Sequence, residues 1–271
     1  MEGAQYNSVQ FDPGAATLLA HPFIFTVRPG RDHVNGHGAG RLTTLLTLYD
    51  NAGEHFMPGA DTTRAPGTKH LAKSQVLMFV FDPTQDVRFR QRLQAVSSDP
   101  QLAAGRRTVR QDQLLVEMAR RIRMHAGLAP TARIKRPLFL LLSKSDIWKD
   151  LLRDSSSQPL DVITPPYTRE RVGLGKMDIR RVDAASDAVR ALLMQLAPEI
   201  VTAAEDAFER VIYVPVSATG TSPVLDPASG LLKVAVSKIA PAWCAVPFIY
   251  SLARWSKHMM ATNKSEPPGS F

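Results

Sequence analysis

A single cysteine, Cys244, occurs in the 271 residues. No intramolecular disulfide can form, so apolar burial must hold the chain together, and a reducing cytoplasm is the expected compartment. Long apolar runs are missing too. The longest, Pro241 to Ala253, falls short of the roughly 20 residues that a bilayer demands, and Pro247 interrupts it. The first residues show no basic, then apolar, then small-residue leader. Neither a transmembrane segment nor a signal peptide is therefore expected. Aromatic residues make up only 7% and are not interleaved with the basic ones, so a base-stacking surface is not indicated and nucleic acid is not an expected partner. His33, His37, His55 and His70 lack paired or helical metal-ligand spacing, so zinc is not proposed. No internal repeat is present.

Basic residues, by contrast, are in excess: 33 Lys and Arg against 25 Asp and Glu give a net charge of +8. That balance suits phosphate ligands, an anionic membrane or nucleic acid. The densest groups, Arg106-Arg107 with Arg110 and Arg120-Arg121 with Arg123, fall on one predicted helix and read as a solvated face. A basic nucleic-acid-binding protein is the remote alternative.

Apolar runs rich in β-branched and aromatic residues predict strands at 22–27, 43–49, 76–81, 137–142 and 211–216. The last three are continuously apolar, as central parallel strands covered on both faces require. Helical patterns fall near 61–73, 107–127, 184–209 and 231–239. This alternation predicts an α/β fold: a mostly parallel, doubly wound sheet with helices on both faces. The first two strands, joined by a loop with four glycines, predict an antiparallel hairpin at one edge. The expected organisation is an irregular segment 1–21, an α/β domain 22–255 with an insertion loop at about 151–183, and a disordered tail 256–271. The apolar segment Pro241–Ala253 is expected to pack against the sheet.

Open α/β sheets bind ligands beyond the carboxyl ends of their strands. There the sequence places Asp50-Asn-Ala-Gly53-Glu54, Ser143-Lys144-Ser-Asp146 and Ser217-Ala218-Thr219-Gly220. In this order they resemble the Asp-x-x-Gly, Asn/Thr-Lys-x-Asp and Ser-Ala-x motifs of the phosphate-binding-loop GTPases, and in particular the bacterial double-GTPase-like domains. The resemblance covers roughly residues 22–220. It implies that Asp50 holds Mg2+ through a water, as a hard carboxylate ligand. Gly53 would let a backbone N–H approach the terminal phosphate. Asp146 would accept from guanine N1 and the exocyclic amine, Lys144 would pack its stem over the base, and Ala218, between Ser217 and Thr219, would donate to the guanine carbonyl. Ser143 stands where the family has asparagine, which braces neighbouring loops. Glu54 stands where many members carry the glutamine that orients water, a departure that argues against fast hydrolysis. The implied ligands are GTP or GDP with Mg2+, and a protein partner is expected, with segments 28–42 and 54–68 as switch-like regions.

The phosphate loop, Gly-x-x-x-x-Gly-Lys-Ser/Thr, is absent. Asn35-Gly-His-Gly-Ala-Gly-Arg41 leads straight into a strand, and Gly175-Lys176-Met177 lacks the hydroxyl. Without that cradle GTP should bind poorly and hydrolyse hardly at all, and the sheet is expected to have an unfilled central position. The chain therefore reads as a truncated GTPase that is inactive alone, with a degenerate GTPase-fold scaffold as the alternative.

Overall fold

The structure, a computed structural model, describes residues 22–28, 43–51, 56, 66–103, 110–154, 156–170, 173–256 and 259–262. Its first half runs β1 (Pro22–Val27), β2 (Thr44–Tyr49), β3 (Leu77–Phe81), α1 (Val87–Gln94), α2 (Gln111–Ala126), β4 (Leu138–Leu142) and α3 (Ser145–Trp148). There follow β5 (Tyr167–Glu170), β6 (Gly173–Met177), α4 (Ile179–Leu196), α5 (Pro198–Ala207) and β7 (Val211–Pro215). The last elements are β8 (Val224–Leu225), β9 (Leu232–Lys233), α6 (Val246–Trp255) and β10 (Ala261–Thr262).

The fold is α/β, built on a parallel sheet of order β3-β4-β7. Leu138 pairs with both Leu77 and Val211, and the register runs unbroken to Leu142. The central strand is Leu138-Phe-Leu-Leu-Leu142, apolar on both faces because both faces are covered. Phe139 meets Tyr250 and Trp255 of α6 edge-on, with ring centroids 5.7 and 6.1 Å away. Leu138, Leu140 and Leu142, on the opposite face, are fully buried. Each such side chain contributes about 1.5–3 kcal/mol by leaving water. The packing of α6 against Phe139 is what the sequence led us to expect of the apolar segment 241–253.

Local chemistry sets the helix boundaries. In α2 the buried Leu115, Met118, Ala119 and Ile122 follow the spacing of one helical face. Gly127, at φ 66, ends that helix in a left-handed conformation that glycine adopts without a Cβ penalty. In α4 the carboxylate of Asp178 caps by accepting from Arg181 N at 3.2 Å.

Several expectations need correction. The single helix expected over 184–209 is two helices, broken where Pro198 lacks an N–H and starts α5. The stretch 231–239 is not an α-helix but β9 followed by a short 3-10 turn, and Pro66–Ala72 is likewise 3-10. The loop expected at 151–183 contains the β5–β6 hairpin and the start of α4. Within the expected tail, Ala261–Thr262 pairs in parallel with β6. Helix α1 was not expected, because its mean hydropathy is low, although Asp86 caps it through Phe89 N. Arg121 is not part of a solvated face. It is fully buried, with its Nε 2.8 Å from Glu117 and its guanidinium 5.3 Å from the Phe56 ring centre.

The β1–β2 hairpin is antiparallel from Pro22↔Tyr49 to Val27↔Thr44, as expected, but forms a sheet of its own, with no ladder to β3 among the described residues. No helix among these residues is long and apolar enough to cross a membrane.

Candidate functional site

Parallel strands with a common direction end on a common rim, and the rim of β3-β4-β7 carries the motif residues. Ser143 follows β4, and its N–H and hydroxyl both donate to Phe81 O of β3, each at 3.0 Å. The serine thus ties its loop to the neighbouring strand. Trp148 Nε1 donates to Ser143 O at 2.6 Å and pins the turn from behind.

Lys144 sits at φ 56 and ψ 41, a left-handed conformation that costs a non-glycine residue about 1–2 kcal/mol. Its ammonium reaches Asp82 Oδ2 at 2.9 Å and Thr84 Oγ1 at 3.0 Å. Asp82 is in turn held by Gln111, whose Oε1 accepts from Asp82 N at 2.8 Å and whose Nε2 donates to Asp82 O at 2.9 Å. Asp82, Thr84 and Gln111 were not singled out from the sequence. The Asp-Pro-Thr run after a strand is nonetheless a cap signature, with proline at the first helical position.

The third loop locks onto the second. Ser145 N donates to Val216 O at 3.0 Å, and the Ser217 hydroxyl donates to Asp146 Oδ1 at 2.5 Å. Ser217, buried, also accepts from Gly220 N at 2.8 Å. Gly220 has φ +69, and a Cβ there would lie 1.9 Å from Ala240 O, so only glycine fits. Ser217 further exchanges backbone hydrogen bonds with Ala242 at 3.0 and 2.9 Å. The Cys244 thiol donates to Ser217 O at 3.1 Å, and burial raises its pKa, which keeps it protonated for that role. Ala218 is exposed on the rim and Thr219 half-buried.

Asp146 therefore presents a carboxylate with one oxygen engaged by Ser217 and, among the described residues, no donor to Oδ2. A carboxylate so placed accepts from a planar ligand with two adjacent N–H groups. The structure brings Ser143, Lys144, Asp146, Ser217, Ala218 and Thr219 together. It does not bring Asp50 to them: this exposed residue follows β2, and no hydrogen bond or ion pair joins it to the cluster among the described residues. Gly53 and Glu54 lie outside the described residues, as do nearly all of the switch-like segments.

Mg2+ asks for octahedral oxygen ligands, usually one or two carboxylates with waters and phosphate. Asp50 is a single carboxylate, and no group of three metal-ligating side chains forms among the described residues, so these residues alone do not fit the ion. Nor do Lys144, Asp146 or Ser217 line the cavities of about 220, 200 and 520 Å3. Comparison with known protein families, with curated proteins and with solved structures finds no match to this chain.

Proposed function

We propose that this chain is a GTPase-like domain whose described part supplies the guanine-recognising half of a nucleotide site. The observation that supports it most is the hydrogen bond from Ser217 to Asp146, which joins two motif loops at adjacent strand tips and aims the carboxylate. In this reading Asp146 accepts from guanine N1 and its amine, Ala218 N donates to the carbonyl oxygen, and the Lys144 stem covers the base. Adenine presents no matching pair of donors to Asp146, which makes the site guanine-selective. With no phosphate loop in the sequence, the chain alone supplies neither the phosphate cradle nor the positioning for hydrolysis, and nucleotide binds weakly. A protein partner remains part of this proposal.

Titration of fluorescent GDP and GTP, with ATP as competitor, tests it. Binding with a Kd of about 0.1–1 mM that ATP does not displace is the expected result, weakened about tenfold or more in Asp146→Ala. No saturation, or equal competition by ATP, would refute base recognition. One observation favours a second reading, a GTPase-fold scaffold without ligand: the Lys144 ammonium is already committed to Asp82 and Thr84. That reading expects Asp146→Ala to lower stability and leave nucleotide response unchanged at nil.

A further inference from the structure

We infer that the groove between β2 and β3 seats one further β-strand, an extended apolar segment of another polypeptide that pairs with both edges at once. This inference rests on the sheet edges and the groove, not on the nucleotide reading.

Among the described residues, each of the two strands is paired on one side only. β2 pairs with β1 and β3 with β4, and no ladder links β2 to β3 among the described residues. A cavity of about 520 Å3 lies between them, lined by Thr44–Tyr49 of β2, by Val76–Met78 and by Phe248, Leu252 and Trp255 of α6. In β3, Leu77 N donates to Pro137 O, on the β4 side. Successive residues of a parallel strand alternate between neighbours, so Met78, in the lining, and Val80, just beyond it, turn their N–H and C=O groups away from β4, to the groove side. Two facing rows of such groups match one ligand chemistry, an extended main chain.

The side chains agree. Lys73 is the one Lys, Arg, Asp or Glu in the lining, so an uncharged segment is favoured. Val80 is 60% exposed although its register partner Leu141 is partly covered and packed against the core. Asn51 also lines the cavity, and its Oδ1 is shielded from solvent without a hydrogen-bond donor, which a strand's N–H would supply.

The position selects its occupant. It is flanked by strands on both sides, so only a segment with both edges free can enter. None of the described strands of a second copy can enter this way, because each already spends at least one edge on a neighbour. The flanking strands of six and five residues set the length at about 17–20 Å of extended chain. Apolar surroundings ask for a Val- or Ile-rich run.

The test is hydrogen exchange of the full chain, read by NMR, with a peptide of five alternating valines and isoleucines between flanking lysines. The expected result is saturable binding that slows the amides of Met78 and Val80, together with the outward amides of β2, by about tenfold or more. The same peptide N-methylated on one edge should protect neither strand, because both edges must pair. Protection of only one strand by the unmethylated peptide, or of neither, would overturn the inference. So would protection of both strands without peptide, whether in a dimer, where a second copy fills the groove, or in a monomer, where this chain fills it itself.

Discussion

β4 and β1 are both written in apolar letters, Leu-Phe-Leu-Leu-Leu and Pro-Phe-Ile-Phe-Thr-Val, yet they end in opposite environments. Phe139 of β4 is 0% exposed, while Phe23, Ile24 and Phe25 of β1 are 56%, 64% and 50% exposed. Each face of β4 is covered, by α6 across Phe139, and each edge is paired, with β3 and with β7. Among the described residues β1 has one neighbouring strand, and its register partners Leu45 and Tyr49 on β2 are themselves exposed. Hydropathy measures how strongly a strand favours burial; its neighbours decide whether burial happens. The contrast extends to the edges of the parallel sheet. On the closed side α4 lies against β7, and Tyr213 N donates to Ser186 Oγ at 3.0 Å, so the outermost strand has a partner. On the open side β3 faces the groove.

Substituting equivalent aromatics on the two strands should show the largest difference. Phe139→Ala opens a cavity in a packed core and is expected to lower stability by about 3–5 kcal/mol, whereas Phe25→Ala should lower it by less than about 1 kcal/mol. Urea unfolding measures both, and similar losses would mean that β1 is covered in solution. The edge contrast is smaller. Ser186→Ala strips the partner from the buried Tyr213 N–H and should remove about 1–3 kcal/mol.

The smallest effect concerns pH on the closed side. The Arg190 guanidinium, hydrogen-bonded to Glu205, and then the Tyr213 hydroxyl hold the Glu205 carboxyl below its ordinary value of 4.5, against the opposing effect of burial. A folded value below the unfolded one contributes stability that is complete above about pH 5 and lost as pH falls through the folded value. Glu205→Gln should therefore unfold with less dependence on acid, by under about 1 kcal/mol because the pair is more than a third exposed. An unchanged acid limb in thermal melts would remove this pair from the closed side's account.

The five longer apolar strands were legible from the sequence because continuous apolar runs of five or six residues between turn residues leave few alternatives. So were the motif positions at strand tips: Asp146 and Ser217 are 71 residues apart and meet through one hydrogen bond. α1 was not legible, since its residues Val87-Arg-Phe-Arg-Gln-Arg-Leu-Gln94 bury only Phe89 and Leu93. The break before Pro198 was signalled by that proline but hidden by apolar periodicity continuing across it. The brace from Lys144 to Asp82 and Thr84 was invisible because it depends on where a long side chain turns.

By itself the sequence determined the α/β class, the strand order along the chain and which loops stand at strand ends, because period and residue type act locally. Tertiary structure alone decided which apolar strands are buried and that Arg121 lies inside while Arg120 beside it stays in solvent. Those outcomes depend on pairings between residues distant in sequence, and a one-dimensional pattern states what each segment favours without stating which neighbour arrives.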